Sequence, residues 1–306
     1  VCNVRIIVTG ATGFIGTALC RALTDAGHEV IALTRSASAQ QKLGDRVQCV
    51  TWDGQSGGAW EKTLDGADAV VNLAGESIAA KWNAEKKEKI RSSRVDGTKA
   101  LVRAMEKASQ RPKVLLSGSA VGYYGPRGDE ELTEESSPGN DFLSGVCQAW
   151  EAAATEAESL GVRVVRLRIG VVLGEGGGAL SKMLTPFKMG VGGPTGRGQQ
   201  WMSWVHRDDV IGLIQFALAR EDANGALNAT APHPVRNREF AQTLGKVLHR
   251  PAFLPTPALV MRLMFGEMAD ALLLTGQRVL PAAAQRLGYQ FKFPDLMSAL
   301  EAVLKR

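Results

Sequence analysis

At 306 residues, with 45% hydrophobic and 22% charged side chains, the chain suffices for one α/β domain with an appended lobe, or for two small domains. Its 36 Lys and Arg against 31 Asp and Glu give a formal net charge of +5, but the basic residues are dispersed among acidic ones, which argues against a nucleic-acid-binding face. No apolar run approaches the roughly 18 to 20 residues that a membrane helix needs, and Cys2, Cys20, Cys49 and Cys147 are too widely spaced for a zinc ribbon or a disulfide framework.

A reducing compartment follows as the expectation, cytoplasmic or inside an organelle. No signal-peptide pattern opens the chain, which enters a strand pattern by Val4, so a targeting segment is expected to be absent or already removed. The first strand pattern, "VRIIVTG", runs into "ATGFIGTAL", placing Gly10, Gly13 and Gly16 directly after a strand and at the mouth of an amphipathic helix over Phe14–Ala26. Gly10 permits a tight turn, Gly13 lets the backbone approach a pyrophosphate, and Gly16 lets the helix pack on the strand. The helix N-terminus offers unpaired N–H groups to phosphates, with Thr12, Phe14 and Ile15 completing the loop.

The second strand, in "HEVIALTRSAS", ends on Thr34 and Arg35, roughly 20 residues past the glycine turn, where an acidic residue would hold the ribose 2′-hydroxyl of NAD. Arginine cannot accept that bond. It can make charge-assisted bonds to a 2′-phosphate, with the Thr34 hydroxyl assisting, so the expected cofactor is NADP(H); a solvated surface arginine is the alternative. A third strand, "RVQCVTW", leads to Asp53 near where an adenine amino group would lie, and a fourth, "ADAVVNLAG", closes with Leu73, Ala74 and Gly75 on the cofactor edge.

A helical pattern over Ala84–Ser109 follows, with "KWNAEKKEKIRSSR" alternating charge as a solvated helix does. The fifth strand lies in "PKVLLSGSA". After it, "NDFLSGVCQAWEAAATEAESLG" reads as a helix feeding a sixth strand, "VRVVRLRIGVVLG", taken as one continuous run. This alternation predicts an α/β fold with a doubly wound, parallel Rossmann sheet and a smaller C-terminal lobe.

Past Gly174 the texture changes to glycine-rich loops, "GEGGGA" and "GVGGPTGRGQQ", readable as lid hinges or as ordinary turns. The expected organisation is a nucleotide-binding domain over residues 1–174 and a substrate-binding lobe over 175–306, with a helix and strand in 205–230 returning to the sheet. From Pro251 onward the pattern is mostly helical. His206 is a candidate catalytic acid, but it precedes a helix start that Asp208 or Asp209 would cap, which favours a structural place; His28, His233 and His249 show no metal-ligand spacing, so no metal site is expected. Trp201, Trp204, Phe187 and Met183 are pocket walls or core.

Together these segments resemble the short-chain dehydrogenase/reductase superfamily in its extended, epimerase/dehydratase form. "TGATGFIG", "NLAG", "SGSAVGYYG" and "WVHRDD" occur in that family's order, over residues 4–230, and the tail with "GEMADALLLTGQRVLP" and "LGYQFKFPDLMSAL" is similar to a C-terminal domain of unknown function in epimerase-family proteins. The resemblance implies that Ser119 hydrogen-bonds a substrate oxygen, with Tyr123 and Tyr124 following it. It also implies that Lys89 and Arg94 face cofactor phosphates or ribose, and that backbone groups of Ile169 to Val171 approach the nicotinamide carboxamide.

The resemblance breaks in the helix after the fifth strand. There the family carries a YxxxK pair, whose lysine binds the nicotinamide ribose and lowers the pKa of the tyrosine. Counting back from Glu151, which often follows the pair, puts Leu143 at the tyrosine site and Cys147 at the lysine site. A leucine exchanges no protons, and a tyrosine brought from about 10 to about 7 needs roughly 4 kcal/mol that a neutral cysteine does not supply.

Three routes stay open: Tyr123 or Tyr124 acting from its loop while Ser119 polarises the substrate, Cys147 acting as a thiol nucleophile, or water or substrate donating the proton. Two functions follow. One is an oxidoreductase passing hydride between NADP(H) and a small carbonyl, alcohol or sugar-like substrate; the other is a non-catalytic NADPH-binding regulatory or assembly module. Expected partners are a small-molecule substrate, neither nucleic acid nor membrane, with a homodimer left open.

Overall fold

The computed structural model describes residues 3–36 and 38–305; Cys2 lies outside the described residues. Its strands are β1 (Arg5–Thr9), β2 (Glu29–Thr34), β3 (Val47–Thr51), β4 (Ala69–Asn72), β5 (Val114–Ala120), β6 (Glu131–Leu132) and β7 (Arg163–Ile169). There follow β8 (Val171–Leu173), β9 (Trp201–Met202), β10 (Trp204–His206), β11 (Gly225–Ala229), β12 (Val235–Arg236) and β13 (Arg278–Val279). Seven of them form one sheet in the order β11-β7-β5-β4-β1-β2-β3, every ladder parallel.

Period-2 alternation sends neighbouring side chains of β1 to opposite faces, and both faces are buried, which is why the strands read as continuous apolar runs. Ile6 and Val8 join a cluster with Leu19 and Leu23 of α1 (Phe14–Asp25). Ile7 joins another with Leu101 and Met105 of a long helix over Ala84–Lys107 and with Ala154 of a helix over Phe142–Thr155. With a short α2 (Ala39–Leu43) between, these two helices are α3 and α4. Each is closed at its N-terminus by a side chain: Asn83 accepts from the Lys86 amide and Asp141 from the Ser144 amide.

The sixth sequence strand breaks in two at Gly170. A Cβ there would overlap the Ser203 carbonyl oxygen, and the Val171 amide donates to that same oxygen at 2.8 Å. The chain therefore leaves the sheet after Ile169, and β8 pairs with β10 instead. Apolar continuity across "RIGVVL" hid this, because hydropathy does not register a close backbone approach at glycine.

The remaining helices are α5 (Gly178–Lys188), α6 (Arg207–Ala219), α7 (Asn237–Leu248), α8 (Ala258–Phe265), α9 (Ala282–Arg286) and α10 (Leu296–Leu304). None of the described helices is long and apolar enough to cross a membrane. Phe187 and Trp204 are core, buried with Phe240, Leu244 and Leu300, and Met183 packs against them. Trp201 sits outside that cluster, with the Arg236 and Arg278 guanidinium groups 4.2 and 4.7 Å from its ring centre. His206 caps α6, its Nδ1 accepting from the Asp208 amide. Buried Asp209 accepts from the Lys292 and Phe293 amides and so fastens the C-terminal segment to α6.

Candidate functional site

At the end of β1 the backbone of Gly10 turns with φ +66°, and a Cβ would stand 2.6 Å from the Leu73 carbonyl. Only glycine fits both conditions. A Cβ at Gly16 would overlap the Gly10 carbonyl oxygen, and the Gly13 amide donates to that oxygen at 2.9 Å. Unlike α3 and α4, α1 starts with no side-chain cap and no acid in its first turn, so among the described residues no side chain meets its leading N–H groups and dipole end.

A buried polar chain positions the neighbouring strand end. The Thr9 hydroxyl donates to Asn72 Oδ1 and accepts from the Ala74 amide, Asn72 donates to the Thr98 hydroxyl, and Thr98 donates to the Arg94 carbonyl. Leu73 and Ala74 are thereby held against Gly10. Phe14 is half-buried, its ring against Gly174, Gly177 and Gly178 with the Arg207 guanidinium 5.1 Å away, which gives the "GEGGGA" tract a packing role; Ile15 packs against the core.

At the tip of β2 the Thr34 hydroxyl is committed to its own turn, donating to the Ser36 carbonyl and accepting its amide. Arg35 is exposed and, among the described residues, makes no hydrogen bond or close ion pair. Lys42 of α2 reaches back to donate to the Thr12 carbonyl at 2.6 Å, adding a second cation near this loop. Sequence reading passed over Lys42, because its spacing from the loop depends on how the chain turns after Arg35. Asp53 accepts the Gln55 and Ser56 amides at 2.8 Å each, which holds its carboxyl below the ordinary range. Lys89 pairs with Glu85 on the exposed side of α3.

The other end of the sheet edge is different. Ser119, 3% exposed, donates to Glu151 Oε1 at 2.7 Å. Both Glu151 oxygens accept from Arg168 at 2.8 Å, a bidentate pair with both partners buried. Arg168 also donates to the Tyr124 hydroxyl, which donates to Asn228 Oδ1 at 2.7 Å. Glu134 closes the network by accepting the Asn228 and Ala283 amides.

The paired tyrosines are thus split. Tyr124 is fully buried, its hydroxyl bonded on both sides, and burial pushes its pKa up to about 12. Tyr123 is half-buried with its ring centre 3.5 Å from the Arg168 guanidinium, and its hydroxyl has no hydrogen-bond partner among the described residues. Burial, and then the Glu151 carboxylate, push Cys147 up to about 11, so it is a neutral thiol at physiological pH. Arg168, Asn228 and Glu134 escaped the sequence reading. The available signal was an arginine at alternate positions inside a strand buried on both faces, which demands an acid nearby.

Arg94 reaches from α3 to the end of β4, donating to the Glu76 and Ile90 carbonyls at 3.0 Å each. Its guanidinium lies 5.2 Å from the Trp150 ring, and a Cβ on Gly75 would stand 3.0 Å from its Cζ.

Residues 6–229 match the model of the NAD dependent epimerase/dehydratase family, and residues 256–303 match a domain of unknown function, DUF1731. The chain is 42% identical over 305 residues to the chloroplastic epimerase family protein SDR39U1 homolog of Arabidopsis thaliana, covering 99% of this chain and 87% of that one. It superposes on a crystal structure of human epimerase family protein SDR39U1 with NADPH at a TM-score of 0.89 and 39% identity, covering 99% of both chains. A crystal structure of a nucleoside-diphosphate sugar epimerase from Corynebacterium glutamicum gives a TM-score of 0.80 at 36% identity, over 99% of this chain and 58% of that one.

Proposed function

The chain belongs to the NAD dependent epimerase/dehydratase family, and on that premise we propose that it binds NADP(H) and passes hydride to or from a small carbonyl, alcohol or sugar-like substrate. The observation carrying the cofactor half is the phosphate cradle: Gly10, Gly13 and Gly16 open the backbone, α1 starts without a side-chain cap, Lys42 reaches the Thr12 carbonyl, and Arg35 at the tip of β2 makes no close ion pair among the described residues. The human SDR39U1 crystal structure with NADPH supports it. When bound, the dinucleotide supplies the hydride donor or acceptor.

The chain's own residues then orient a substrate and handle its proton. Ser119 has one proton and gives it to Glu151, so toward a substrate its oxygen is an acceptor, suited to an alcohol. To polarise a carbonyl it has to swing off Glu151, and Arg168 continues to hold that carboxylate. Tyr123, with its hydroxyl uncommitted, is the group offered as acid or base; Tyr124, tied to Arg168 and Asn228, fixes the loop that carries it. Residues 1–174 with 205–230 are assigned to the cofactor domain, and the rest of 175–306 to a lobe over the substrate. Fastening of that lobe through Asp209 and Glu134 supports this division. The free thiols of Cys20, Cys49 and Cys147 suit a reducing compartment, and the chloroplastic relative makes an organelle one choice.

One observation favours the second reading, a non-catalytic NADPH-binding module: the polar groups of Ser119, Glu151 and Tyr124 are all paired within the protein, with one another, Arg168 or Asn228. Titrating NADPH and NADH, then following nicotinamide absorbance with a panel of small carbonyls and alcohols, separates the two. NADPH is expected to bind more tightly than NADH, with turnover that Tyr123→Phe reduces about 100-fold while leaving NADPH affinity unchanged. Tight NADPH binding without turnover across the panel favours the module.

A further inference from the structure

We propose that Arg94 supplies from α3 the cation that a lysine on α4 would otherwise supply, and that it donates to the ribose beside the nicotinamide. The inference rests on the NADP(H) reading. Three observations carry it. The guanidinium lies on Gly75, at the end of β4 where the strand meets the cofactor edge, and a Cβ there would stand 3.0 Å from Cζ, 3.2 Å from Nη2 and 3.3 Å from Nε. Glycine at 75 thus leaves open the space that Arg94 fills.

The donors of Arg94 are divided in a telling way. Nη1 is committed to the Glu76 and Ile90 carbonyls, which fixes the plane of the group, while Nη2 and Nε make no hydrogen bond among the described residues. Arg94 also has no ion-pair partner among the described residues, although Lys86, Lys87 and Lys89 of the same helix are each paired, with Glu76, Glu267 and Glu85. Arg94 is half-buried, and the Glu76 carboxylate bears on it electrostatically without closing an ion pair, so a polyanionic dinucleotide with ribose hydroxyls offers it both charge and acceptors.

Finally, the group is anchored to α4 where the lysine is missing. Trp150, whose ring lies 5.2 Å from the guanidinium, is one helical turn from Cys147, and Arg94 bears electrostatically on the Cys147 thiol. A small buried thiol at 147 leaves the space between α3 and α4 to Arg94.

The test uses the full chain and two ligands in calorimetry: NADPH, and adenosine 2′,5′-bisphosphate, which lacks the second ribose and the nicotinamide. Arg94→Met is expected to weaken NADPH about 10- to 100-fold, the range of a charged hydrogen bond, and to leave the bisphosphate unchanged. Arg94→Lys keeps stem and charge, guards against a folding defect, and is expected to fall between wild type and Arg94→Met for NADPH alone. Adding Cys147→Lys to Arg94→Met is expected to recover NADPH affinity. Unchanged NADPH binding in Arg94→Met, or equal loss of both ligands in Arg94→Met and Arg94→Lys, overturns the assignment and makes Arg94 a strut between α3 and α4. Failure of the wild type to bind NADPH while remaining folded overturns the cofactor reading first, and this inference with it.

Discussion

The two ends of the sheet's C-terminal edge solve opposite problems. Around Gly10 to Gly16, among the described residues, α1 has no side-chain cap and Arg35 has no close ion pair. Around Ser119 the side chains of Glu151, Arg168, Tyr124 and Asn228 are already paired with one another. A ligand gains donors outright at the first end, whereas at the second it exchanges one hydrogen bond for another. Affinity therefore belongs to the open end. Any chemistry at the closed end proceeds through the few groups the network leaves out, Tyr123 and Arg94.

The largest effect expected from breaking this contrast is at Glu151. Glu151→Ala strips a buried arginine of its counter-ion and Ser119 of its acceptor, and is expected to cost about 3–5 kcal/mol in denaturant unfolding. Glu151→Gln retains an acceptor for Ser119 and is expected to cost less. A loss under about 1 kcal/mol for the alanine variant would mean that the network is not a closed unit.

At the open end the largest change is steric. Gly16→Ala places its Cβ onto the Gly10 carbonyl oxygen, within backbone that cannot yield, and is expected to abolish NADPH binding while costing about 1–3 kcal/mol of stability. Arg35→Ala is milder and more selective, weakening NADPH by about 1.5–3 kcal/mol and hardly touching NADH. Equal losses for both cofactors would remove the 2′-phosphate role and leave Arg35 as solvated surface.

The contrast also explains what could be read from the sequence. Gly10, Gly13 and Gly16 act through backbone within seven residues of chain, and period-2 apolar runs reveal a sheet buried on both faces. The family and the fold were therefore legible, as was NADP(H) as the expected cofactor. The closed end joins partners distant in sequence: Ser119 to Glu151 across 32 residues, Tyr124 to Asn228 across 104, Glu134 to Ala283 across 149. No local pattern encodes such pairings. Two adjacent tyrosines look equivalent in "GYYG", yet a 3-10 turn over Val121–Tyr124 buries one and leaves the other half-exposed. The break at Gly170 was hidden likewise, because Ser203 approaches it from another element.

The smallest expected effect tests whether the closed end is closed to water. An unfolded thiol titrates near 8.5, whereas Cys147 is pushed up to about 11 by burial and then by Glu151. Because the folded value is the higher, the unfolded chain loses this proton first as pH rises. The stabilising contribution is fully present below about pH 8.5 and is lost as pH climbs toward 11. By pH 10 the loss is about 1–2 kcal/mol, and Cys147→Ala is expected to flatten that part of the stability profile, leaving Tyr124 and Cys20, both near 12, to act at higher pH. At pH 8 roughly one Cys147 in a thousand is thiolate, so peptide-resolved alkylation is expected to label it far more slowly than a free thiol. Fast labelling of Cys147 at pH 8 would show solvent and thiolate at the lysine site. It would break the contrast between the two ends and restore the thiol as a nucleophile.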